Sequence, residues 1–94
     1  MKVLWASAAQ LDRSDIFDYI SLGNPTAAIR MDEIFSNTAT SLGDQPMLGH
    51  PGKIRGTREL IPHENYRLVY EVVDQTVWIL ALVHVARLWP PLKQ

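Results

Sequence analysis

Three arginines and one histidine are the side chains of this sequence that could do chemistry together. Arg58, Arg67 and Arg87 fall on or just after three successive apolar segments, and His84 stands shortly before the last of these arginines. Guanidinium groups around a concavity bind phosphate oxygens in pairs and stabilise the charge that develops in phosphoryl transfer. An imidazole beside them would serve as general acid or base. The four residues therefore form a candidate catalytic set.

Each of these side chains also has a structural interpretation. The arginines would then pair with nearby carboxylates such as Glu59, Glu64 or Glu71. His84 would be a packed residue with one ring nitrogen bonded to backbone. Whether the arginines share one face depends on strand register and on bulges, which the sequence does not specify. Both interpretations stay open.

Positive charge is concentrated in the second half of the chain. The net charge is −3 over residues 1–50 and +2 over residues 51–94, which gives −1 for the whole sequence. The chain is therefore not a strongly basic nucleic-acid binder. Lys53 and Arg55 are candidates for contacting a polyanion or an acidic peptide. Trp89 is a candidate contact for the same partner, and its alternative is a ring that folds back onto the core.

Length and composition exclude several classes of protein. With 94 residues, of which 47% are hydrophobic, we expect one domain over residues 1–94. The sequence contains no cysteine, which excludes disulfides, thiol nucleophiles and cysteine-ligated zinc. The histidines and carboxylates lack metal-ligand spacing, and "GHPGKIRG" lacks the order of a phosphate-binding P-loop, so we expect neither metal nor cofactor. No apolar run is typical of a signal peptide or a membrane span, and we expect a cytoplasmic protein without membrane contacts.

The elements that must position these side chains follow from apolar periodicity. "KVLWA" (2–6) predicts a strand, and residues 8–22 predict a helix with Ser7 as its N-cap and Gly23 in the left-handed position after it. Asn24 and Pro25 predict the cap and first residue of a second helix that runs to about residue 42. The glycine- and proline-rich segment 43–56 predicts a loop.

Three strands complete the chain. "TRELIP" (57–62), "YRLVYEVV" (66–73) and "TVWILALVHVA" (76–86) are separated by short turns. The last is apolar at both parities, as expected for a strand covered on both faces. The predicted order is β-α-α-β-β-β, an α+β fold with a helical hairpin packed on a small, mostly antiparallel sheet.

This order, together with three stretches of sequence, resembles the RelE/ParE superfamily of type II toxin–antitoxin toxins. The stretches are "GTREL", "NYRLVYEV" and "VWILALVHVARLWP". The resemblance covers essentially the whole chain, and "VLWASAAQLDRSDIFDYI" and "NPTAAIRMDEI" match its first strand and helices. It implies a small cytoplasmic bacterial toxin that arrests growth, takes part in plasmid stabilisation and is neutralised by a cognate antitoxin. Lys53, Arg55 and Trp89 would then contact the target or the antitoxin, and operator DNA would be bound only through that antitoxin.

The two branches of the superfamily imply different targets. RelE-like toxins cleave mRNA in the ribosome, and Arg67 in "YRLVY" and Arg87 in "VARLW" stand where that branch keeps arginines, with Arg58 near one of its lysines. That branch also has a second basic residue, at the position of Leu60 here, and often a C-terminal tyrosine. In this sequence no tyrosine follows Arg87. His84 would have to replace that tyrosine as the general acid.

ParE-like toxins instead inhibit DNA gyrase, and "LVHVA" resembles the end of their last strand. The weak charge and the missing acid–base residues favour this second branch, a toxin without nuclease chemistry. A third alternative is a non-toxic remnant that binds an acidic peptide with its basic face.

Overall fold

The computed structural model describes residues 1–91 of the chain and contains two helices and five strands in that range. In chain order they are β1 (Lys2–Trp5), α1 (Ser7–Gly23), α2 (Pro25–Asp44), β2 (His50–Pro51), β3 (Arg58–His63), β4 (Tyr66–Val73) and β5 (Thr76–His84). The strands form one sheet in the order β1-β5-β4-β3-β2. β1 is parallel to β5, and the other neighbours are antiparallel. The predicted α+β class is therefore confirmed.

One strand lies inside the segment that was predicted to be only a loop. β2 has two residues, His50 and Pro51, which pair with Glu59 and Arg58 of β3. A pair of residues is too short for any apolar periodicity, and proline is tolerated here because β2 is at the edge of the sheet. The remainder of the segment between α2 and β3 is irregular, as predicted.

The two helices form the expected hairpin. The Asn24 side chain accepts the Ala27 amide at 3.0 Å and so caps α2, as predicted. Two details of the prediction are wrong: Ser7 lies inside α1 with Ala6 at the cap position, and Gly23 is the last helical residue of α1. Within residues 1–91, no helix combines the length and the apolar character that crossing a membrane requires.

An ion pair joins the two helices. The Arg13 guanidinium binds the Asp32 carboxylate through two hydrogen bonds, Nε to Oδ1 at 2.6 Å and Nη2 to Oδ2 at 2.9 Å. The same guanidinium lies 4.7 Å from the ring centroid of Trp5 in β1. Arg13 therefore connects α1 both to α2 and to the edge of the sheet.

The main core lies between the helical hairpin and one face of the sheet, which we call the helix face. Its buried members are Ala9, Phe35, Ala39, Leu42, Tyr66, Leu68, Tyr70, Val77, Ile79 and Leu82. In β4 these are alternate residues, as the sequence predicted. Because successive side chains of a strand point to opposite faces, Arg67 and Val69 lie on the other side, which we call the open face.

A bulge in β5 changes the side on which its last residues lie. Ile79 pairs with Tyr70 of β4 and Ala81 pairs with Val69, so Leu80 is an extra residue without a partner. Before the bulge, odd-numbered residues such as Ile79 face the helices. After it, Leu82 and His84 do so, and Val83 faces the open side.

Residues 1–91 cover the open face only in part. Val69, Ala81 and Val83 form a small cluster against which Trp89 packs. The chain after β5 therefore folds back onto the sheet, which is the structural alternative foreseen for Trp89. Trp78 and Leu80, on the same strand, are only half-buried. The prediction that β5 is covered on both faces is thus right for its second half.

Candidate functional site

A groove between α1 and the ends of β4 and β5 brings together two of the predicted site residues, His84 and Arg87. Its volume is about 650 Å³. The residues that line it are Asp12, Asp15, Ile16, Tyr19, Asn65, Tyr66, Leu82, His84 and Arg87. Apolar groups are thus combined with carboxylates from α1 and with His84 and Arg87 from the end of the sheet. A mixed concavity of this size is typical of a binding site.

His84 is held in this groove by its ring and by the turn that follows it. Its ring meets that of Tyr66 edge to face, with the centroids 5.3 Å apart, and Tyr66 meets Phe35 of α2 in the same way at 5.4 Å. The His84 Nδ1 atom accepts the Ala86 amide at 3.0 Å. The neutral imidazole therefore carries its proton on Nε2. The Arg87 amide donates to the His84 carbonyl at 2.9 Å, which fixes Arg87 beside it.

The environment of Tyr66 in the groove raises the pKa of its hydroxyl. Burial of its hydroxyl raises the pKa of Tyr66 above the ordinary value of 10.0, and the neighbouring Tyr19 raises it further. Tyr66 is therefore a neutral hydrogen-bonding group across the physiological pH range.

Asp12 fixes the groove from the helix side, and sequence reasoning missed this role. Its Oδ2 atom accepts the backbone amide of Leu82 at 3.1 Å, across a separation of 70 residues. Leu82 lies two residues after the bulged Leu80, so this carboxylate joins α1 to the irregular part of β5. In the sequence, Asp12 is one of several acidic residues on α1, and nothing distinguishes it from Asp15 or Asp18.

A second group of predicted residues meets on the open face, around Glu59. This carboxylate is 2% exposed. Its Oε1 atom lies 3.3 Å from Nε of Arg67, and its Oε2 atom accepts the Lys53 amide at 2.9 Å and the Trp89 indole N–H at 3.2 Å. We call Glu59, Arg67, Trp89 and the Lys53 amide the glutamate cluster. It joins β3, β4, the loop before β3 and the chain after β5.

The pairing of Arg67 with Glu59 is the structural interpretation given above for this arginine. Sequence reasoning named Glu59 only as one of three possible ion-pair partners. Its additional bonds to Lys53 and Trp89 have no signal in the sequence, because these residues lie 6 and 30 positions away from it along the chain.

Arg58 lies apart from both groups. It pairs with Tyr70 in the sheet, and its Nη1 atom donates to the Gly49 carbonyl at 2.5 Å. Arg55 and the Lys53 side chain are exposed in the loop between β2 and β3. The three arginines therefore occupy three separate places: Arg58 at the loop, Arg67 in the glutamate cluster and Arg87 in the groove.

The two predicted groups also lie on opposite sides of the sheet. Tyr66 faces the helices, so its neighbour Arg67 faces the open side, and His84 contacts Tyr66 on the helix side. Among residues 1–91, His, Asp and Glu side chains form no group of three or more that could hold a metal ion. The arrangement offers a binding groove on one side and an ion-paired, buried carboxylate on the other.

The sequence of this chain matches a known protein family. Residues 3–89 match the family described as "ParE toxin of type II toxin-antitoxin system, parDE". Toxin RelE2 of Caulobacter vibrioides is 36% identical over 87 residues, which cover 93% of this chain and 98% of that protein.

Two solved structures share the fold. The chromosomal ParDE toxin–antitoxin system from P. aeruginosa superposes with a TM-score of 0.81 at 20% identity, covering 90% of this chain and 96% of that one. The intact E. coli RelBE toxin–antitoxin complex gives 0.64 at 15% identity, covering 92% and 98%. The agreement of sequence and fold shows that the chain belongs to the ParE toxin family of type II toxin–antitoxin systems, within the ParE/RelE superfamily.

Proposed function

We propose that this toxin arrests bacterial growth by inhibiting DNA gyrase, the target that the resemblance assigns to ParE-like toxins, and that it does not cleave mRNA. The observation that carries the proposal is the position of Arg67 and His84 on opposite faces of the sheet. Nuclease chemistry needs the phosphate-binding guanidinium and the proton-transfer group within hydrogen-bond reach of one phosphodiester. A single phosphodiester does not reach both of these side chains.

The charge around Arg67 supports the same conclusion. Its guanidinium is already paired with a buried carboxylate, so a phosphate that approaches it also meets the negative charge of Glu59. The net charge of the chain is −1. Attraction to the dense phosphates of a ribosome is therefore weak, whereas contact with a protein target needs no such attraction.

The mRNA interferase is the second candidate function. The relative that is 36% identical is named RelE2, and Arg67 and Arg87 stand where the RelE-like branch keeps arginines. In this alternative Arg87 and His84, which share the groove, would have to act without Arg67.

A cognate antitoxin is the proposed protein partner. The ParDE system and the RelBE complex, whose folds this chain shares, are toxin–antitoxin pairs. We expect the gene for this antitoxin to lie beside that of the toxin and to encode a DNA-binding fold with a flexible segment. Operator DNA is then reached only through the antitoxin. Since gyrase and ribosomes are cytoplasmic, the proposed site of action is the cytoplasm.

The test is induced expression of the wild type in bacteria beside Arg87→Ala and the double variant Arg67→Ala/Glu59→Gln. The double variant avoids leaving the Glu59 charge buried without a partner. Growth, mRNA cleavage and the DNA-damage response are scored together. We expect arrest with filamentous cells, a damage response and intact mRNA, and inhibition of purified gyrase in a supercoiling assay.

Two results would overturn the proposal. Codon-positioned mRNA cuts that disappear in the arginine variants would establish the interferase. A wild-type protein that is folded but does not arrest growth would leave the non-toxic, peptide-binding remnant as the function.

A further inference from the structure

The loop between α2 and β3 carries an unusual combination of side chains. From Gln45 to Arg58 there is no carboxylate, whereas Lys53 and Arg55 are exposed cations. Three large apolar side chains of the same segment are exposed as well: Met47 is 65%, Leu48 54% and Ile54 40% accessible. We call residues 45–57 the basic loop. Its two halves flank the two residues of β2, which is the edge strand of the sheet.

Hydrogen bonds to the sheet fix the backbone of the first half of the loop. The hydroxyl of the fully buried Tyr70 donates to the Pro46 carbonyl and accepts the Gly49 amide, both at 2.8 Å. Arg58 binds the Gly49 carbonyl. A Cβ atom on Gly49 would lie 2.8 Å from the Glu59 carbonyl oxygen and 2.9 Å from the Tyr70 hydroxyl oxygen, so the packing requires glycine.

The second half is fixed in a similar way. Glu59 accepts the Lys53 amide at 2.9 Å, and the Thr57 hydroxyl donates to the Ile54 carbonyl at 2.6 Å. The Gly52 amide donates to the Thr57 carbonyl at 2.8 Å. Buried side chains of β3 and β4 thus order a surface loop whose own large side chains point to solvent.

An ordered loop that exposes apolar side chains is preorganised for binding, because the entropy of ordering it has been lost before the partner arrives. Resting on the proposed function, we propose that the basic loop is the surface through which the toxin contacts its protein target. The complementary surface is an acidic patch with an apolar centre. A protein surface is the occupant we propose, because the exposed side chains of Met47, Leu48 and Ile54 are not aromatic and are stabilised by burial against the apolar side chains of a protein.

The test measures binding to purified gyrase. The loop variant is Lys53→Glu/Arg55→Glu, and the matched control is Lys2→Glu/Arg30→Glu, which makes the same charge change at two exposed positions outside the loop. Circular dichroism and the melting temperature verify that both variants fold. We expect the loop variant to bind about tenfold or more weakly, with a smaller dependence on salt, and the control to bind like the wild type.

Two further variants test the apolar centre of the loop and the ordering of its backbone separately. Ile54→Asp tests the apolar centre and is expected to weaken binding to a similar degree. Tyr70→Phe removes the two hydrogen bonds to the loop and keeps the buried ring. We expect it to weaken binding and to speed hydrogen exchange of the Gly49 amide.

The outcomes distinguish this proposal from the proposed function. If the wild type binds gyrase and the loop variant binds equally well, the loop is not the contact surface, although gyrase remains the target. If the wild type does not bind gyrase, gyrase is not the target. Growth arrest by the loop variant and by the control then tests whether the loop is a contact surface. Arrest that is lost in the loop variant but kept in the control, with mRNA intact, supports a protein contact. Arrest kept in both, or lost together with mRNA cleavage, overturns it.

Discussion

The side chains of Arg67 and His84 lie on opposite faces of the sheet, although Arg67 is paired with Val83, the residue immediately before His84. In sequence, both belong to the motifs that carry the resemblance to toxins. In space, one contacts a buried carboxylate and the other contacts an aromatic ring of the main core. Their separation predicts that they act independently.

A double-mutant cycle tests this independence. Arg67→Lys keeps a cation beside Glu59, and His84→Ala removes the ring contact with Tyr66. Because the two side chains share no partner, we expect their effects on the free energy of unfolding to add within about 0.5 kcal/mol. Urea denaturation measures this. A coupling of more than about 1 kcal/mol would mean that the two side chains interact, against the faces assigned to them.

Glu59→Gln tests the glutamate cluster. The substitution keeps the size of the side chain, but it leaves the Arg67 charge without its partner. Because a carboxamide has only one oxygen, its NH₂ then faces either Arg67 or the donors Lys53 N–H and Trp89 Nε1–H. We expect the free energy of unfolding to fall by about 3 kcal/mol in urea denaturation. Glu71→Gln on the half-exposed part of β4 is the control, with an expected change within about 0.5 kcal/mol. Equal stability of the two variants would contradict the role of the cluster.

Asp12→Ala tests the bond between α1 and the bulged strand. Loss of the acceptor for the Leu82 amide is expected to lower the free energy of unfolding by about 2 kcal/mol. Hydrogen exchange of the Leu82 amide should become faster, and Asp12→Asn, which keeps an oxygen, should restore most of its protection. Asp15→Ala, in the same groove, is the control. A Leu82 amide that stays protected in Asp12→Ala would refute this assignment.

The ion pair of Arg13 and Asp32 is expected to couple the two helices. It has two hydrogen bonds, but both side chains are partly exposed, so a coupling of about 0.5–1 kcal/mol is expected at low salt, decreasing as salt is added. The measurement is a double-mutant cycle with Arg13→Met and Asp32→Asn. The same cycle on the exposed residues Arg30 and Glu33 is the control and should give a smaller value.

The raised pKa of Tyr66 predicts a loss of stability at alkaline pH. The native state holds the phenol proton more tightly than the unfolded chain, so the stabilisation is fully present below pH 10.0 and is lost as the pH rises through the native pKa. Tyr66→Phe should flatten the pH dependence of the unfolding free energy in this range, and Tyr19→Phe should reduce it less. An unchanged slope in Tyr66→Phe would assign the loss to other groups.

The fold could be predicted because its elements carry strong local signals. Asn24 and Pro25 define the start of α2, and the alternation in β4 identifies its helix face. β2 could not be predicted, since two residues carry no apolar periodicity, and they pair with β3 beside a loop whose backbone the Tyr70 hydroxyl binds.

The candidate site was less predictable for a physical reason. β5 is apolar at both parities, so an extra residue such as Leu80 interrupts no visible pattern. That residue decides on which face His84 lies. Likewise, the sequence offers several carboxylates near Arg67, and only the pairing of β3 with β4 selects Glu59.

The parallel pairing of β1 with β5 also determines when the sheet can be completed during synthesis of the chain. β1 pairs Lys2 with Thr76, so this strand has no partner until most of the chain has been translated. At ~5–20 residues per second, that interval lasts several seconds. The helical hairpin, built from local contacts, can form during this time, whereas the groove with His84 and Arg87 is assembled last. The pairing of β1 with β5 therefore joins two segments that are far apart in the order of synthesis, and the sheet is complete only once both have been made.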